Sequence, residues 1–138
     1  MPPPPDSALK FQPLAVLRSI VSVIVGYVVF YLFMMGSVMM GWGGLVEANS
    51  AILVPAAVIG LLLSLVLGGA VAGLLAGRRP GGHGQLVGVV ALIWLVAGTF
   101  LMDTIEPNWF RIVGAAVSLP MAYLGSELLT PGTTMRRR

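Results

Sequence analysis

The 138-residue sequence contains no cysteine and little charge: eight Lys or Arg, five Asp or Glu and a single His. Without cysteine there is no disulfide, no thiolate metal site, no thiol redox chemistry and no cysteine lipidation. Charged residues make up 9% of the chain, against about 25% in soluble globular proteins. Hydrophobic residues make up 57%, and the mean hydropathy is +0.95. So little polar surface cannot keep such a chain in water, which excludes a soluble domain and a disordered one. The pI of about 10.0 invites a nucleic-acid reading. The basic residues are scattered between apolar runs and form no stripe, so no nucleic-acid partner is expected.

Catalytic patterns are missing as well. No nucleophile sits beside a base, no carboxylates pair on one face, and no metal-ligand spacing occurs. The sequence therefore reads as non-enzymatic, with no cofactor and no metal. His83 lies in R-R-P-G-G-H-G, read as a glycine-rich loop. It is no phosphate loop, because no strand precedes it and no G-K-[ST] follows. Met34, Met35, Met39 and Met40 gather near one end of a run, with Met102 a candidate neighbour. Thioethers suit Cu(I), but no His or Cys joins them, and methionine commonly fills irregular apolar space.

What the sequence does have is long apolar runs. A spanning helix needs roughly 20 residues, and four spans with short loops use up almost the whole chain. The expected spans are 19–41, 51–77, 85–102 and 110–129, with tails at 1–12 and 130–138. The four prolines of M-P-P-P-P-D-S keep the first tail out of any helix. The expected fold is an all-α integral membrane four-helix bundle forming one domain.

Lys and Arg set the orientation. Lys10, Arg18, Arg78, Arg79, Arg136, Arg137 and Arg138 share one side if there are four spans, and Arg111 alone faces the other. That asymmetry predicts that both termini lie in the cytoplasm. Trp42 and Trp109 fall at the outer boundary, where indole rings prefer to lie.

The two halves of the chain align. V-E-A-N-S-A-I-L-V-P-A-A-V (Val46 to Val58) matches I-E-P-N-W-F-R-I-V-G-A-A-V (Ile105 to Val117) at six of thirteen positions. Upstream, Gly36 aligns with Gly98 and Gly26 with Gly88, after a three-residue shift in register. A tandem duplication of a two-helix hairpin would relate the copies by an axis along the membrane normal.

Small residues recur at helical spacing in the second span. Gly69, Gly73 and Gly77 form one row; Gly60, Ser64, Gly68 and Ala72 form its neighbour. Gly114, Ser118 and Ala122 repeat the device in the fourth span. Residues four apart share a helix face, and small ones there allow close helix contact, which stands in for the missing hydrophobic drive in lipid. These rows would pack spans within the chain, or against a homo-oligomer or partner membrane protein.

Two polar groupings remain. Glu47, Asn49, Asp103, Glu106, Asn108 and Arg111 gather at the outer ends of the hairpins. Asn49 and Asn108 stand where N-caps belong, and acids favour the positive end of a helix; the other reading is an outer cluster attracting cations or a partner. At the opposite side Arg78, Arg79 and His83 would touch anionic headgroups of the lipid bilayer. The run G-G-A-V-A-G-L-L-A-G-R-R-P leading into His-Gly, Gly69 to Gly84, resembles small uncharacterised four-span proteins of bacterial inner membranes. That resemblance implies an architecture and no activity. The function expected is therefore that of a small packing protein that self-associates or accompanies a partner. The alternative is a subunit of an oligomeric transporter or pore for small solutes.

Overall fold

The computed structural model describes residues 13–42, 50–77, 80–102 and 106–129, and every element among them is a helix. The helices are α1 (Pro13–Trp42), α2 (Ser50–Ala76), α3 (Pro80–Leu101) and α4 (Asn108–Leu128). The all-α bundle follows from composition: apolar runs of this length can satisfy their backbone groups internally only as helices. Pro13 and Pro80 begin α1 and α3, where a missing N–H costs nothing. Pro55 and Pro120 lie within α2 and α4, and each helix continues past its proline. Among the described helices, α1, α2 and α3 are long and apolar enough to cross a membrane.

Helices α2 and α3 each pack on all three others, while α1 and α4 make no contact. Helix α1 runs antiparallel to α2, from Arg18 beside Leu75 to Ser37 beside Gly60. Helix α4 runs antiparallel to α3 along its whole length, from Arg111 beside Gly98 to Glu127 beside Gly81. The ends of the bundle are therefore an Arg18 end and an Arg111 end. Sequence alignment pairs α1 with α3 and α2 with α4. A two-fold axis along the normal would turn the α2–α3 contact into an α4–α1 contact, which does not exist. The arrangement thus departs from that rotation.

The core joins Phe30, Met34 and Val38 of α1 to Ala57, Leu61 and Leu65 of α2, Ala91 and Leu95 of α3, and Phe110 and Ala115 of α4. Outside it, large apolar side chains face outward, among them Leu32, Ile59, Ile93 and Ile112. This inside-out pattern suits a hydrocarbon solvent. Buried serines keep to their own helices: Ser22, Ser64 and Ser118 donate to the carbonyls of Ser19, Leu61 and Ala115 at 2.7, 2.7 and 2.9 Å. Such back-bonding satisfies the hydroxyl without a neighbour.

Helices meet through glycine. Gly26 and Gly68 face each other, and a Cβ on either would lie within 2.7 Å of the other's carbonyl oxygen. A Cβ on Gly69 would collide with the Ala122 backbone, and one on Gly125 with the Val66 backbone. These contacts join α1 to α2 and α2 to α4 backbone against backbone, where dispersion and weak Cα–H···O contacts are strongest.

Candidate functional site

The most unusual chemistry lies at the Arg111 end. Arg111 occupies the first turn of α4, and its side chain leans back toward the helix N-terminus, as helical side chains do. It is buried, 1% exposed, and so is the Glu106 side chain at 3%. Arg111 Nε donates to Glu106 Oε1 at 2.7 Å, and Nη2 lies 2.5 Å from the same oxygen as an ion-pair contact without hydrogen-bond geometry. Neither Nη1 nor Nη2 has a hydrogen-bond acceptor among the described residues.

Helix α3 builds the seat for this guanidinium. Gly98 lies against Nη1, and a Cβ there would collide with it. Trp94, one turn deeper, presents its ring 5.8 Å from Arg111 Cζ, within range of a cation–π interaction. Tyr31 of α1 meets Trp94 edge-on at 5.5 Å, which ties the seat to the opposite side of the bundle. The C-terminal turn of α3 adds a favourable negative dipole end beside the cation. Breaking a buried pair by removing one partner costs about 3–5 kcal/mol, because the other charge is left uncompensated.

The outer polar residues divide. Glu106 and Arg111 come together in the interior, not at an exposed interface, because Gly98 leaves a guanidinium-sized space. Asn108 is not the N-cap. It is the first helical residue and is exposed; the cap is Pro107, with φ −71° and ψ 149° and no side-chain cap bond. The Phe110 N–H closes that turn onto the Pro107 carbonyl at 3.0 Å. Glu47, Asn49 and Asp103 lie outside the described residues, as do Arg78 and Arg79.

At the Arg18 end, His83 is not in a loop. It sits in the first turn of α3, half-buried, with Nε2 2.9 Å from Ser19 Oγ of α1. The glycine-rich segment is helical because two of its glycines, Gly81 and Gly84, are contact residues. A Cβ on Gly81 would meet Glu127 and Tyr123, and one on Gly84 would meet Ser126 and the Ala122 carbonyl. Close approach of α4 outweighs the low helix propensity of glycine, about 1 kcal/mol per residue. Gly81, Gly84 and Gly88 recur at helical spacing, so the sequence holds the signal.

Of the small-residue rows, Gly60 faces Ser37, Gly68 faces Gly26 and Phe30, Gly69 faces Ala122, and Gly114 faces Leu61 and Leu95. Ser64, Ala72, Gly73, Ser118 and Ala122 are buried. Gly77 differs from its row: it follows the helix in the left-handed region at φ +69°, where glycine is favoured, and its Cβ direction points at Arg18. Arg18 Nε donates to the Leu75 carbonyl at 2.7 Å, so a cation closes the C-terminus of α2. The methionines do not gather: Met34 is in the core, while Met39, Met40 and Met102 face outward. No group of three His, Cys, Asp or Glu that could hold a metal occurs among the described residues.

An all-α bundle, three of whose helices are long and apolar enough to cross a membrane, with a buried ion pair at one end, is the class these features define. Comparison with known protein families, curated proteins and solved structures gives no match for the chain.

Proposed function

We propose that the chain is a four-span protein of a bacterial inner membrane, both termini cytoplasmic, acting by packing: it self-associates or accompanies a partner membrane protein and catalyses no reaction. The full-length antiparallel contact of α4 with α3 supports the fourth span. A helix lying along a membrane-crossing neighbour from Gly98 to Gly81 crosses with it, even though α4 carries Arg111 and Glu127.

The observation that carries the functional reading is an open groove between α1 and α2 with small residues, Gly36, Ser37 and Gly60, in its wall. The groove holds about 450 Å³ and is lined by Leu32, Phe33, Gly36, Met40, Gly60 and Leu63 among others. Nothing stands within 4 Å of a Cβ placed on Gly36. Helix α1 is also the least enclosed of the three crossing helices. Purification in a mild maltoside detergent followed by native mass measurement tests the reading. A multiple of the chain mass, or a stoichiometric companion, is expected; a lone monomer with no companion would remove it.

One observation favours the alternative of a transporter or pore subunit. Ionisable side chains within membrane segments commonly mark substrate paths, and Arg111 with Glu106 is such a pair. The serines that bond within their own helices supply no polar path leading from it, which is why packing is preferred. Solute flux through liposomes holding the purified protein would reverse the preference.

A further inference from the structure

We propose that the cavity between α3 and α4 near the Arg18 end binds a phospholipid with a protonated amine headgroup, of which phosphatidylethanolamine is the simplest, and that Glu127 receives its ammonium. The cavity is open, holds about 400 Å³ and is lined by Gln85, Val89, Leu119, Pro120 and Tyr123. Its chemistry changes in order along the helices. Val89, Leu119 and Pro120 form the apolar part, toward the middle of the bundle. Gln85 and Tyr123 stand about one turn nearer the Arg18 end, an amide and a phenol that can both donate to phosphate or ester oxygens. Glu127 lies one further turn out, four residues after Tyr123 on the same face of α4. A Cβ on Gly81 would meet Glu127 Oε1 at 2.7 Å and Tyr123 Cε2 at 2.8 Å, so the carboxylate and the tyrosine ring of the cavity come together over one glycine. From Leu119 to Glu127 the helix rises about 12 Å, whereas the polar layer of one leaflet is about 5–7 Å thick. The interval therefore passes from hydrocarbon into headgroups, in the order acyl chain, phosphate, ammonium. Charge selects the amine. Among the described residues Glu127 is the one acid at this end; it is half-buried and in no ion pair. Arg18 bonds to the Leu75 carbonyl from α1, a helix that does not touch α4. A carboxylate so placed is costly unless a cation meets it. The proposal rests on the four-span reading, which sets α4 in the leaflet beside α3.

The full chain in a maltoside detergent, freed of native lipid, tests the proposal by thermal unfolding. One arm adds phosphatidylethanolamine and the other phosphatidylglycerol with the same acyl chains. The wild type should reach half its stabilisation at an about fivefold lower mole fraction of phosphatidylethanolamine, the ratio for one charge near a membrane surface. Glu127→Gln, which keeps the shape and loses the charge, should bring the two lipids level. If Glu127 served only to hold the start of α3, that variant would melt lower in both lipids with the preference intact, and this result overturns the proposal. Val89→Trp fills the cavity from an exposed position. It should abolish the preference while leaving the lipid-free melting temperature close to that of the wild type. Should Glu127→Gln fail to fold, Val89→Trp decides, and an undiminished preference overturns the proposal. Equal response of the wild type to the two lipids, or response to neither, also overturns it. Either result leaves the four-span reading in place, because that reading is decided separately by which side of the membrane each end of α4 faces.

Discussion

The two hairpins answer one structural question in opposite ways. Gly98 of α3 and Gly36 of α1 occupy aligned positions near the Arg111 end. Gly98 lies beneath a buried guanidinium, with Trp94 and Glu106 completing the seat. Gly36 lies at the floor of an open groove. Where α4 carries Arg111, the aligned residue of α2 is Ile52. Glycine therefore makes space in both hairpins, and in the second the facing helix fills it with Arg111. At this position one hairpin fills the space from its own chain, and the other opens it into the groove.

The largest effect should come from the filled side. Arg111→Leu leaves Glu106 buried without its partner and should cost about 3–5 kcal/mol, read as folded yield and thermal stability in detergent. The double change Arg111→Leu with Glu106→Leu should recover most of that loss, because an apolar replacement of a buried pair is often neutral. A double variant as unstable as the single one would show that the pair matters beyond its charges. Next come the backbone contacts. Gly125→Leu has no path past the Val66 backbone and should cost at least about 1–3 kcal/mol, with loss of the α2–α4 contact seen by crosslinking. The contrast sharpens with alanine. Gly98→Ala presses on a guanidinium pinned by Glu106 and should cost about 1–2 kcal/mol. Gly36→Ala meets nothing and should gain about 0.5–1 kcal/mol from helix propensity alone, in the monomer. Destabilisation of the purified oligomer, but not the monomer, by Gly36→Ala would place another helix in the groove. The smallest effect belongs to the tie between α1 and α3. Ser19→Ala removes one hydrogen bond to His83 and should cost about 0.5–1.5 kcal/mol in the same unfolding assay.

The all-α character was legible from composition, because apolar runs of spanning length leave the backbone one alternative in lipid. Single residues were harder wherever a second helix decides their role. Arg111 and Glu106 stand five apart at the end of an apolar run, a pattern that reads as interfacial charge. Their burial depends on Gly98, thirteen positions upstream of Arg111 and on a different helix. His83 reads as a loop residue, since glycine lowers helix propensity on both sides of it. Packing of Gly81 and Gly84 against α4 reverses that. Asn108 has the chemistry of a cap, but the extended backbone that a cap requires falls one residue earlier, at Pro107.

The four-span bundle requires α4 to cross together with α3, and the cysteine-free chain makes that directly measurable. Asn108→Cys, Gly82→Cys and Leu129→Cys each introduce a single thiol at an exposed position. In intact cells a membrane-impermeant maleimide should label Asn108→Cys, and should reach Gly82→Cys and Leu129→Cys only after permeabilisation. Labelling of Asn108→Cys and Leu129→Cys from the same side would put both ends of α4 on one face of the membrane and contradict the four-span bundle.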